Sequence, residues 1–304
     1  MHYPVSLRPD SLILVVSPSY QPDLKELEAG MESFRRMGFR IEAGPNSAKS
    51  WGKFAGSDEE RLQDLQWALD HPEADMIICS RGGYGSGRFA RNLDFSGFLA
   101  KPKWLTGFSD ITLLHLRVQE LGFASMHGPM VVHHARLPEL PACMKQNDFL
   151  MRRSSLKYQL SNPFPETQAE ELSGIVVGGN LSLLCYIIQE LDVHFFDGCI
   201  VFIEEVGETY HKIDRMLDML FRTGKFRKAA GFVLGSFSEC AADSFPMKPV
   251  DMLREKIHPE QPVFCDLPCG HQSPAFPLAL GYPAVISQAG DSWLFKQVNL
   301  PLTS

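Results

Sequence analysis

The chain opens on alternating blocks of two kinds of hydrophobic pattern. SLILVVSP holds the unbroken apolar run LILVV, the signature of a buried strand. PDLKELEAGMESFRRMG follows, with Leu24, Leu27, Met31 and Phe34 at helical spacing. FRIEAG reads as a short strand. SDEERLQDLQWALDH reads as a helix, with Ser57 as its cap and acidic residues in its first turn. ADMIICS is a second buried strand. WLTGFS then DITLLHLRVQELG repeats the strand–helix alternation, and FASMHGP closes it. Strands alternating with helices predict a parallel sheet covered on both faces.

The pattern then breaks. From ARLPELPACMKQ to ETQAEEL the chain is dotted with prolines and shows no clear period, which reads as a connector. Beyond it, GGNLSLLCYIIQEL reads as a helix after a glycine turn, CIVFIEE as a strand, and YHKIDRMLDMLFRTGKF as an amphipathic helix. AGFVLGSFS, PVFCDLP, FPLALGYPAVIS and SWLFKQV are strand-like. The expected organisation is α/β: a parallel-sheet domain over 1–140, a connector over 141–172 and a β-rich α+β domain over 173–304.

A length of 304 residues suits two domains. The formal charge of −7 argues against a nucleic-acid partner, which selects for a basic patch. No segment has the apolar length of a membrane span, so no membrane partner is expected. The first residues lack the basic start and long apolar core of a signal peptide. Seven irregularly spaced cysteines fit reduced thiols. Together these predict a cytoplasmic protein.

Four stretches carry candidate chemistry. SRGGYGSGR follows the ADMIIC strand, where glycine loops often hold phosphates. The dinucleotide fingerprint fails, since counting from Gly83 and Gly85 puts Arg88 at the third glycine. Counting from Gly85 and Gly87 reaches Ala90, but after the third strand rather than the first, and no Walker triplet is present. The loop is then either a tight turn whose glycines accept positive φ, or a donor of backbone N–H groups into a cleft. In TGFSDITLLH, Ser109 lies between a strand and a helix, as in a nucleophile elbow; Ile111 stands where that motif has glycine. Ser109 or Asp110 could equally cap the helix. In CIVFIEEVGE, alternation sends Glu204 and Glu205 to opposite faces, one toward a cleft, unless both are simply solvated at the strand end. In DLPCGHQSP, His271 follows a turn. No metal-ligand spacing occurs, so neither metal nor cofactor is expected. Serine, carboxylate and histidine all fall on turns or strand ends, the parts a serine nucleophile needs.

RGGYGSGR, GFSD, HGPM, GGNLSLL, IEEVGE with KIDRMLDML, LGSF and GH together resemble the LD-carboxypeptidases of peptidase family S66, in the family's order over most of the chain. The resemblance implies an active site between an α/β domain and a β-rich domain, and a Ser-Glu-His triad. By motif the nucleophile is Ser109, the carboxylate Glu204 and the base His271. The implied oxyanion donors are the amides of Asp110 and of a loop glycine, taken as Gly83. Arg81 and Arg88 are candidates for the substrate carboxylate. The resemblance further implies a homodimer and a small peptide substrate, murein tetrapeptide, losing terminal D-alanine in cell-wall recycling. The alternatives are an amidase of aminoacyl-nucleotide antibiotics of the microcin type, from the same family, and a non-catalytic anion-binding module.

Overall fold

The computed structural model describes residues 1–165, 171–290 and 292–299. Its first half contains β1 (Leu12–Val16), α1 (Leu24–Arg36), β2 (Arg40–Ala43), α2 (Asp58–Asp70) and β3 (Ala74–Cys79). These are followed by α3 (Ser96–Ala100), β4 (Trp104–Gly107), α4 (Thr112–Glu120) and β5 (Ser125–His127). Strands β1 and β4 are buried throughout and β3 at every position but Asp75, as both-face coverage by helices requires. Asp23 accepts from the amides of Lys25 and Glu26 to start α1, and Ser57 and Glu60 form a capping box on α2. The five strands pair in parallel in the order β2-β1-β3-β4-β5.

The second half contains α5 (Leu140–Leu150), β6 (Leu156–Leu160), β7 (Glu171–Asn180), α6 (Leu181–Ile187), β8 (Ile200–Val206) and α7 (Tyr210–Arg222). It ends with β9 (Gly231–Ser238), α8 (Pro249–Arg254), β10 (Val263–Phe264), β11 (Leu278–Leu280), β12 (Tyr282–Ala289) and β13 (Ser292–Gln297). A seven-stranded sheet runs β10-β9-β8-β7-β12-β13-β6. Its β7-to-β10 portion is parallel, and β12, β13 and β6 continue it antiparallel.

Two features depart from the sequence expectation. The stretch read as a connector folds into α5 and the edge strand β6; residues 166–170 of it lie outside the described residues. Its strand LKYQL alternates buried and exposed positions, the ordinary pattern of a half-covered strand. The second is β11, which leaves the late part of the chain to pair antiparallel with β5, completing the first sheet as a sixth strand.

Candidate active site

Strand β4 ends at Gly107, and the chain turns sharply at Ser109, whose φ is +67°. A non-glycine residue in this left-handed region costs about 1–2 kcal/mol, so the surrounding structure must hold it there. Asp110 does much of that holding. Its buried carboxylate accepts from Ser19 Oγ at 2.6 Å and from the Ser86 amide at 2.8 Å, while Ser86 Oγ donates to the Asp110 carbonyl at 2.9 Å. The side chain of Asp110 therefore ties the Ser109 turn to the glycine loop rather than capping a helix. Behind the turn, buried His115 bridges the Gly107 carbonyl and Ser125 Oγ; burial pushes its imidazole down to about 4.

The glycine loop packs directly on this turn. A Cβ placed on Gly82 would come within 2.9 Å of Ser109 Cβ, and one on Gly83 within 2.4 Å of the Tyr20 ring. Gly83 also has φ +134°, closed to other residues. The loop's glycines thus serve close approach.

The acidic pair on β8 divides as alternation requires, but neither carboxylate is solvated: Glu204 is wholly buried and Glu205 nearly so. Glu205 is absorbed structurally. It accepts from Asn180 Nδ2 at 3.0 Å and from the amides of Ser182 and Val206 at 2.9 and 2.8 Å, on the Asn180 end of α6. Glu204 instead faces His271, whose Nδ1 lies 2.7 Å from Glu204 Oε2. Among the described residues, the other oxygen, Oε1, has no hydrogen-bond partner. A pairing shift between β8 and β9 leaves room here, because one more residue of β9 than of β8 spans the interval from Ile203↔Leu234 to Glu205↔Phe237. Within that interval Gly235 offers no Cβ, which would sit 2.4 Å from the Cys269 carbonyl and 3.1 Å from Glu204 Cβ. The Ser236 amide donates to the same Cys269 carbonyl, anchoring the loop that carries His271.

His271 balances two effects. Burial lowers the imidazole, but the Glu204 charge and hydrogen bond outweigh it and raise the pKa above its ordinary value. Ser109 and His271 line one cavity of about 240 Å³ together with Arg81, Gly83 and Phe108, and Phe108 stacks edge-on to His271 at 5.1 Å. The cavity draws Ser109, Arg81 and the glycine loop from the first half of the chain and His271 from the second.

The two candidate arginines part company. Arg81 contacts only the carbonyls of Gly82 and Gln21 and the Tyr20 ring, with no acidic partner among the described residues. Arg88 is not on the cavity wall; its guanidinium is held by the Asp58 carboxylate at 2.8–2.9 Å. Sequence reasoning missed Glu26, His133, Arg136 and Glu139, which line an adjoining cavity of about 450 Å³. All but Glu26 fall just after HGPM, where the pattern of the chain was breaking.

Residues 13–128 match the model of the LD-carboxypeptidase N-terminal domain, and residues 173–286 that of the C-terminal domain. This chain belongs to the LD-carboxypeptidase family. It is 31% identical over 299 residues to a probable murein peptide carboxypeptidase of Bacillus subtilis, spanning 94% of this chain and 92% of that one. It is 30% identical over 275 residues to the murein tetrapeptide carboxypeptidase of Pseudomonas aeruginosa, spanning 88% of each. The fold also matches the microcin C7 self-immunity protein MccF, solved with aspartyl sulfamoyl adenosine, at a TM-score of 0.85 and 21% identity over 99% of both chains. The expected two-domain α/β fold of the family is the one observed. No helix among the described residues is long and apolar enough to cross a membrane.

Proposed function

We propose that this family member is a serine-type LD-carboxypeptidase that releases D-alanine from murein tetrapeptide. The observation that carries the reading is the Glu204–His271 hydrogen bond at 2.7 Å, on the wall of the cavity that holds the strained Ser109 turn. A carboxylate accepting from Nδ1 fixes the tautomer in which Nε2 is the basic nitrogen. His271 Nε2 takes the Ser109 proton as Oγ attacks the carbonyl of the L-residue, and Glu204 steadies the imidazolium that forms. The oxyanion develops between the Asp110 and Gly83 amides, presented by the turn and the glycine loop. Collapse expels D-alanine with the proton from His271. Water, activated by the same base, then releases the tripeptide. Arg81, with no carboxylate partner among the described residues, meets the free carboxylate of the leaving residue. Arg88 does not share that role, since Asp58 already neutralises it. The recycling role and a cytoplasmic homodimer enter this reading through the family alone.

The test is D-alanine release from murein tetrapeptide by wild type and by Ser109→Ala. Wild type should release it, and the variant should be slower by roughly the factor of 10³ or more lost with a nucleophile. Equal rates, or none in either, would sink the reading. Cleavage of an aminoacyl sulfamoyl adenosine in place of the tetrapeptide would assign the chain to the microcin-type alternative.

A further inference from the structure

Behind the glycine loop lies a wholly buried cation that the proposed mechanism does not use. Arg61 stands on α2, and its side chain has no exposed surface. Its Nη1 donates to the Pro18 carbonyl at 2.7 Å, and its Nη2 donates to Asp58. Among the described residues, Nε has no hydrogen-bond partner. The guanidinium lies over the rings of Phe54 and Phe89, 4.7 and 5.1 Å from their centroids. Enclosing a cation this way is costly, and replacing a buried ion pair by apolar side chains is often neutral or stabilising. Folding alone is therefore a weak reason for an arginine here.

Its contacts point toward the site. Pro18 precedes Ser19 and Gly85 precedes Ser86, and Ser19 and Ser86 are the two donors to the Asp110 carboxylate. Gly85 wraps the guanidinium so closely that a Cβ there would lie 2.5 Å from Nη1, at a φ of +128°. Arg61 thus touches the chain one residue before each group that holds the Ser109 turn. Asp58 extends the grip, since it also binds Arg88 at the far end of the loop.

Charge gives a second reason. Asp110 is buried, accepts from those two neutral donors and has no ion-pair partner among the described residues. In the proposed mechanism its amide faces the oxyanion, so its own carboxylate repels the charge that must form there. A cation enclosed on the far side offsets that repulsion. Burial and, more weakly, Arg88 lower the Arg61 guanidinium, while the charges of Asp58 and Asp110 raise it. An arginine stays protonated under such opposition. Resting on the proposed function, we infer that Arg61 is a positioning residue for the oxyanion site: it fixes the glycine loop and the Ser109 turn through Gly85 and Pro18, and its buried charge offsets the Asp110 carboxylate as the oxyanion forms.

The experiment measures kcat and KM for D-alanine release by wild type, Arg61→Met and Arg61→Lys from neutral to alkaline pH. Arg61→Met keeps much of the volume and removes the charge. Its kcat should fall about 10- to 100-fold with KM within about threefold, because support for the transition state is lost while both amide donors remain. Arg61→Lys restores the charge and should recover most of kcat at neutral pH. A buried ammonium titrates below its ordinary range, so that recovery should fade as pH rises, a basic limb that wild type lacks. In an Asp110→Asn background the charge to be offset is gone, so the further loss from Arg61→Met should shrink to about threefold or less. Melting curves and active-site titration give the folded fraction of each variant. Arg61→Met as fast as wild type, Arg61→Lys without the basic limb, or a loss undiminished in Asp110→Asn would overturn the role and leave the proposed function standing. Should Arg61→Met not fold, the basic limb of Arg61→Lys decides alone. Failure of wild type to release D-alanine would remove the proposed function instead. The variants are then compared by the rate at which a fluorophosphonate labels Ser109, and an unchanged rate in Arg61→Met would remove this role as well.

Discussion

A carboxylate buried at the end of an apolar strand is costly unless something compensates it, and on β8 two such residues are compensated in different ways. Glu205 is satisfied by three donors, whereas Glu204 has His271 on one oxygen and, among the described residues, no partner on the other. The difference has a measurable consequence. In wild type the imidazole is raised above its ordinary value, so the acidic limb of the kcat/KM profile should lie above about pH 6.5, where an unperturbed histidine titrates. Glu204→Gln removes the charge that raises His271 and leaves the burial that lowers it. The limb should then move to lower pH, while the plateau falls on the order of 10³–10⁴-fold as the imidazolium loses its support. A limb that stays in place would mean Glu204 does not set the base. The same shift bears on stability. Because the folded pKa is the higher one, the pair's contribution is complete below about pH 6.5 and is lost as pH rises through the folded value. At this scale the sequence was partly legible. Alternation separated Glu204 from Glu205, but not which of them met a partner, because that depends on Gly235 and the pairing shift in a strand about thirty residues away.

The elements that carry the site are loops gripped from outside themselves. Glu139 shows this best: it follows Arg136 in the first half of the chain, yet its carboxylate holds Ser273 and Ala275, just beyond His271. Glu139→Ala leaves the buried Ala275 amide without its acceptor, a loss of about 1–3 kcal/mol. Loosening that loop should lower kcat more than it raises KM, and should move the acidic limb back toward the ordinary histidine range. Glu139→Gln keeps an acceptor for the amide and should restore most of the rate; equal damage from both variants would argue against a positioning role. The glycine loop makes a second case. Gly83→Ala meets both the Tyr20 ring and a forbidden φ, so it should depress kcat strongly, while Gly52→Ala, also at positive φ but with open space around it, should cost only stability. Rates that fall alike in the two variants would make backbone strain the whole explanation. Strands and helices with an uninterrupted pattern, such as LILVV and the α1 stripe, were plain in the sequence. β6 and α5 were not, since Pro138, Pro141 and Pro163 around them suggested irregular chain; the first two of these prolines sit at helix starts, where their missing N–H costs nothing.

Between the whole molecule and its two family regions stands β11. Residues 13–128 and 173–286 look separable by sequence, but Leu278, Ala279 and Leu280 pair with His127, Met126 and Ser125 in the first sheet. Buried Gln297 on β13 locks that strand in turn, donating to the Ala279 carbonyl at 2.7 Å and accepting its amide at 3.0 Å. Thr112, at the start of α4, accepts from the Asn180 amide at 3.1 Å, a further bond between the halves. One buried apolar cluster runs without interruption from Ile13 and Ile78 through Met126 and Leu278 to Val176 and Phe202. A three-residue strand is too short to be read from periodicity alone, and its partner lies some 150 residues earlier, so this closure was the least legible part of the fold. It makes the halves interdependent. A fragment ending at residue 172 keeps β5 but loses the strand that covers its edge, leaving unpaired amides and carbonyls beside exposed apolar residues. That fragment should aggregate rather than fold, and the intact chain should unfold in one calorimetric transition, with fluorescence and circular dichroism changing together. Two resolved transitions, or a soluble fragment with a sharp melt of its own, would show that the first sheet stands without β11. Then the cavity between the halves would owe its shape to docking of finished domains. With one transition it is formed in the act of folding, and Ser109 and His271 are brought to it by the same closure that completes the sheet.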